Sequence, residues 1–193
     1  VFAREMQSVG TALDGQFIGT YLQGILFTMD HRYFPTRGVS LNLRADYDFL
    51  QPGNNAFSPI LSGDLDFRAA VPLGRDWSFL PDLRLRTISH FGEEARDGLA
   101  HTNFVGGTLA GRYTDDQVPF FGFNHVVRTG DYLIDLTFAL RYRAADRLFL
   151  SALAGTLVYD DSVSALISHP LPRTWALGAE AGYDTFAGRS EVH

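Results

Sequence analysis

An alternating run from Val39 to Phe49 sets the terms for the whole chain. Its odd positions are apolar (Val39, Leu41, Leu43, Ala45, Tyr47, Phe49) and its even ones polar (Ser40, Asn42, Arg44, Asp46, Asp48). Successive side chains of a strand point to opposite faces, so this period of two makes one face greasy and the other charged. The pattern recurs. Leu61, Leu65, Phe67, Ala69, Val71 and Leu73 oppose Ser62, Asp64, Asp66 and Arg68, and Ile134, Leu136, Phe138, Leu140 and Tyr142 oppose Asp135, Thr137, Arg141 and Arg143.

Strand length carries the argument further. Soluble strands average about five to six residues, whereas a tilted strand crossing a bilayer needs about 9 to 11. These runs match the longer class. Aromatic residues stand near their ends, at Tyr47, Phe49, Trp77, Phe79, Tyr132, Tyr142, Tyr159, Trp175 and Tyr183, as expected of girdles at two membrane interfaces. A soluble β-sandwich with a solvated outer face shares the alternation. The connections separate the two readings. "HRYFPTRG", "LGRD", "RAADR" and "FAGRS" are short, while "QPGNNAFSP", the stretch from about Ser89 to Gly130, and "DDSVSALISHPLPR" are long. Short turns at one end and long loops at the other are expected of an outer-membrane barrel with periplasmic turns and extracellular loops.

The expected fold class is thus all-β: a transmembrane antiparallel barrel segment. Seven strands are expected near 17–30, 38–50, 60–73, 77–89, 131–143, 147–159 and 174–186, with an eighth beginning at Ser190. Lipid cannot satisfy a free sheet edge, and small barrels need about eight strands to close. Closure therefore falls to strands of the same protein outside this sequence, the favoured reading, or to a second copy in a homodimer. The start at Val1 and the stop after "GRSEVH" read as the limits of a piece from a longer protein, with residues 1–193 forming a partial barrel domain.

Composition narrows function by exclusion. A formal net charge of -6 and no lysine or arginine run argue against nucleic acid as a partner. No apolar run reaches the roughly 18 residues of a spanning helix. Without cysteine there are neither disulfides nor thiolate metal sites. Histidines at 31, 90, 101, 125, 169 and 193 show no metal-ligand spacing, and neither a metal nor another cofactor is expected. The pairs Asp115-Asp116 and Asp160-Asp161 read as solvated turn residues. Nor does a G-x-S-x-G nucleophile elbow occur, so no catalytic residue is assigned and no enzyme is expected in this chain.

The stretch "DHRYFPTRGVSLNLRADYDF" resembles a motif of the BamA-like outer-membrane barrel (bacterial surface antigen) superfamily, an acidic residue before a Tyr-Phe-Pro-Thr-(Arg/Asp)-Gly turn. Asp30, Tyr33, Phe34, Pro35, Thr36 and Gly38 match it. "SGDLDFRAAVPLG" is similar to the family's next hairpin. "TNFVGGTLAGRY" resembles the start of a loop that members fold back into the barrel, with Phe104, Gly106, Gly107 and Arg112 matching and Tyr113 replacing the usual glycine. "QVPFFGFNHV" and "LGAEAGYDTFAGRSEV" look most like the C-terminal barrels of bacterial patatin-like phospholipases.

This resemblance runs from about Gln16 to Val192. It implies the second half of a barrel of about sixteen strands in the outer membrane of a Gram-negative bacterium. The final strand and the upstream domain or domains would then lie outside the sequence. Residues 89–130 would form the extracellular loop folded into the lumen, where Arg112 would meet a carboxylate in a charge-assisted pair. The sequence leaves Asp135, Glu180 and Asp184 open as that partner. Lipid and lipopolysaccharide are the expected surroundings. Three functions follow: membrane anchor and export route of an attached patatin-like phospholipase, the leading expectation; insertase or translocase for client outer-membrane or secreted proteins; and passive pore.

Overall fold

The structure is a computed structural model that describes residues 2–6, 15–50, 59–91, 103–107, 117–123, 125–168, 174–185 and 188–192. Nine strands form one antiparallel sheet. In chain order these are β1 (Phe2–Met6), β2 (Gly15–Phe27), β3 (Gly38–Leu50), β4 (Ile60–Pro72) and β5 (Trp77–His90), then β9 (Tyr132–Ala145), β10 (Leu148–Asp160), β11 (Thr174–Thr185) and β12 (Gly188–Val192). Between β5 and β9 the chain builds a separate small sheet from β6 (Asn103–Val105), β7 (Gln117–Val118) and β8 (Val127–Gly130), ordered β7-β6-β8. A stretch read as loop therefore contains strands. They are two to four residues long, too short for alternation to show. Two other elements also exceed the sequence reading: β1, and a short helix α1 (Val163–Ser168) whose start is capped by the Ser162 hydroxyl, which accepts from the Ala165 N–H at 3.2 Å.

The exposure of the sheet is inverted relative to a soluble protein. On the outward face Leu22 is 78% exposed and Leu177 and Trp175 72%, while on the inward face Asp46 and Asp135 are each 3% exposed. Apolar side chains thus face out and carboxylates are covered. A water-facing sheet would lose by this arrangement and a lipid-facing one gains. In the large sheet the strands β2 to β5 and β9 to β11 run 12 to 14 residues, which suits a bilayer crossing. On β9, Tyr132 and Tyr142 both point outward, ten residues apart. At about 3.3 Å per residue and a tilt of about 40°, they bracket a band about 25 Å tall. Trp77 joins the lower girdle, its ring 4.8 Å from that of Tyr142. Tyr159 is a correction: its parity on β10 is that of Ser151 and Leu157, so it packs inside against the buried cluster of Val105, Val118, Phe120, Leu133 and Leu157.

The β2–β3 turn ends its strand earlier than expected, at Phe27, because Asp30 organises the reversal. The Asp30 carboxylate accepts from the N–H groups of His31, Thr36 and Arg37 and from the Thr36 hydroxyl. Gly38 closes the turn at φ 113°, where a Cβ would stand 2.5 Å from the Thr28 carbonyl oxygen. Only glycine fits there. Partial burial works against the charge on Asp30, but the Thr36 hydroxyl and the three backbone donors outweigh it and hold the carboxyl at about 2, below its ordinary 3.8. The ionised turn is therefore favoured by folding at and above pH 3.8, and that contribution fades as pH falls from 3.8 through about 2. Asp30→Asn should cost roughly 1 kcal/mol at neutral pH and flatten the acid limb of the unfolding midpoint between pH 5 and about 2. Urea unfolding of the folded barrel at stepped pH measures both.

Candidate functional site: the inner face and the segment folded against it

Three rungs of opposite charge cross the inner face between β4 and β5. Asp64 stands opposite Arg86, Asp66 opposite Arg84, and Arg68 opposite Asp82. Two of these rungs close at 3.1 Å (Arg86 Nη1 to Asp64 Oδ1) and 3.0 Å (Arg68 Nε to Asp82 Oδ2). On β3, Arg44 grips Asp46 through two nitrogens at 2.8 and 2.6 Å, and its guanidinium lies 5.0 Å over the Tyr21 ring. A fixed guanidinium fork meeting two oxygens is the strongest form of such a pair.

Arg84 is the hub of this face. It lies within 3.0 Å of Asp82, 3.7 Å of Asp135 on β9 and 4.0 Å of Asp66. Its Nη1 also donates to the carbonyl oxygen of Pro119 at 3.0 Å. One wall arginine thus binds three carboxylates and the infolded segment together. The sequence had directed attention to the segment's own arginine, Arg112, which lies outside the described residues along with Asp115 and Asp116. Of its three candidate partners, Asp135 is placed beside Arg84 and accepts from the Thr137 hydroxyl at 3.3 Å. Glu180 faces inward on β11, and Asp184 lies near the turn end, its N–H donating to the Arg147 carbonyl at 2.9 Å.

The segment's described residues are pinned by backbone groups and buried polar side chains. Gly106 N–H donates to Val118 O at 2.9 Å, and the buried Gln117 amide donates to Gly106 O at 2.6 Å. Gly106 holds φ 122°, with the His125 carbonyl where a side chain would begin, and Phe104 sits between β7 and β8 in the small sheet. Gly107 donates to Phe123 O at 2.9 Å. Asn103 spans the base, its amide donating to Gly130 O and Asp131 O at 3.1 Å.

The tip "PFFGF", residues 119–123, meets the wall where the wall has no side chains. Phe121 lies over Gly155 of β10 and Gly178 of β11: a Cβ on Gly155 would stand 2.8 Å from its ring, and one on Gly178 3.3 Å. Phe120 is buried beside Leu133 and Leu157. Gly155→Leu should therefore displace the tip at a cost of about 1–3 kcal/mol, the scale of overpacking. Faster proteolysis between 117 and 123 on intact cells, with an unchanged folded band on gels, is the expected readout.

These inward glycines and the Arg84 hub were not singled out as sites from the sequence, and Phe34 was singled out only as part of the turn motif, not as a buried contact to β10 and β11. The available signal was parity: Gly155, Gly178 and Gly182 all fall on the inward register of their strands.

A comparison with protein families matches residues 4–193 to the OMP85 superfamily. The chain belongs to the OMP85 superfamily. This agrees with the resemblance read from the turn and loop motifs and with the inverted sheet. OMP85 proteins are outer-membrane proteins of Gram-negative bacteria. No curated protein matches the chain.

Proposed function

We propose that this OMP85 chain is wall and gate of an outer-membrane barrel acting as an insertase or translocase for polypeptides. The observation that carries the reading is the infolded segment. It occupies the inner face through side-chain packing and a hydrogen bond to Arg84, contacts that can be released without unpairing a wall strand. A channel for polypeptide needs such a removable obstruction; an inert anchor does not. The outward face meets lipid, and clients are other outer-membrane or secreted proteins. Depleting the protein in its host should lower the amounts of other outer-membrane proteins or of a secreted substrate. Unchanged levels of all of them would remove this reading.

A second reading keeps the barrel as anchor and export route of a patatin-like phospholipase, with the hydrolase chemistry in a domain outside this sequence. It is favoured by the likeness of "QVPFFGFNHV" to such barrels, the same stretch whose aromatic tip seats on the wall glycines. A G-x-S-x-G hydrolase domain upstream in the full reading frame supports it; periplasmic βαββα-type modules alone remove it.

A further inference from the structure

The β2–β3 turn is exposed at His31, Arg32 and Tyr33, yet Phe34 beside them is 3% exposed. Its ring stacks on Phe149 of β10, centroids 4.6 Å apart and planes 5° apart, and the Arg141 guanidinium lies 5.5 Å from its centre. Gly182 of β11 forms the floor, where a Cβ would stand 2.5 Å from Phe34 Cε1 and 3.0 Å from Cζ. In the sheet β4, β5 and β9 lie between β3 and β10. Four steps at about 4.8 Å would separate those strands by about 19 Å in a flat sheet, beyond the reach of a phenylalanine. The sheet curls, and Phe34 crosses from one side of its turn end to the other.

The turn's own backbone bonds run back to its flanking strands, Thr28 N–H to Val39 O at 2.8 Å and Asp30 N–H to Arg37 O at 3.1 Å. The ring's hold on β10 and β11 is packing and the face of a cation. One inward-facing rung further from the turn than Phe149 and Gly182 lies Ser151, 6% exposed, whose hydroxyl accepts from Arg141 Nε at 3.2 Å. The turn is thus self-supporting, and its aromatic side chain can leave the slot without breaking a strand ladder.

We propose that Phe34 is a stopper at the turn-end mouth of the barrel, seated in a slot made by Gly182, Phe149 and Arg141. It closes the inner face from the periplasmic side, as the 119–123 tip covers it nearer the loop end. The inference depends on the barrel wall and holds whichever cargo the protein handles.

The chain has no cysteine, so a single introduced thiol reports on the mouth. Ser151→Cys is placed in the full-length protein, with any other cysteine replaced, and a charged, membrane-impermeant maleimide is added from the turn side. Adding Phe34→Ala should speed labelling at least tenfold. Gly182→Ala, whose methyl would push the ring out while leaving the turn's sequence intact, should speed it as well. Heat-modifiable migration on gels identifies folded protein. Labelling of folded F34A at the parent rate overturns the proposal, as does an equal gain for reagent added from the loop end, which would report general loosening. Should F34A fail to assemble, an unchanged rate in folded G182A overturns it equally.

Discussion

Leu136→Arg is expected to destabilise the barrel in a bilayer by about 2–4 kcal/mol, the cost of a cation at the midplane of a lipid-facing wall. Leu136 points outward on β9 between the girdle residues Tyr132 and Tyr142, near the centre of the apolar band. An arginine there has lipid on its open side, with Leu83 and Thr156 directly across on the flanking strands and neither of them an anion. Asn42→Arg is the matched control on the inward face, where the new cation stands opposite Asp66. Its effect should stay within about 1 kcal/mol, the range of a cross-strand pair. Reversible urea unfolding in lipid vesicles measures both. A sheet whose apolar face met water would give the opposite result for Leu136, a change within about 0.5 kcal/mol.

Arg84→Ala should cost still more, about 3–5 kcal/mol, because it leaves the buried Asp135 without its cation while Asp82 keeps only Arg68. Asp82, Asp135 and Asp66 lose their common cation, and Pro119 O loses its donor. Lysine is a poor replacement, since a single ammonium cannot span carboxylates on β4, β5 and β9 while also reaching the infolded tip. Adding Asp135→Asn to the Arg84→Ala background should restore part of the loss, since it removes the stranded charge. A double-mutant cycle on unfolding midpoints gives that coupling. The same variant should release residues 117–123 to protease, linking the wall's charge network to the position of the segment.

Much of the wall was legible in the residues. Parity along β3, β4 and β9 assigned nearly every side chain to its face, and run lengths pointed to membrane crossings. Tyr159 was misplaced because an aromatic near a strand end suits either a girdle or an inner cluster, and only its parity relative to Ser151 separates them. Register is written in the charges too. The β4 sequence Asp64, Asp66, Arg68 and the β5 sequence Asp82, Arg84, Arg86 match rung for rung only as observed. A two-residue slip would set Asp66 against Asp82 one way or Arg68 against Arg84 the other, and like charges across a rung are destabilising. The short "LGRD" turn makes that hairpin local, so the pattern could be read in advance.

Alternation, strand length and charge sign are properties of neighbouring residues on one backbone, so the amino-acid order alone settles that this is a long-stranded sheet with a lipid face and a charged face. Phe34 is different. In the sequence it is one aromatic in a turn motif, and its seat on Phe149 and Gly182 exists only because twist and tilt accumulate over several strands to bring β10 and β11 within reach of the β2–β3 turn. Arg84 likewise becomes a hub only when β9 lies beside β5 and the infolded segment rests above them. Faces follow from local geometry, whereas the closures at either end depend on curvature that no short stretch of chain contains.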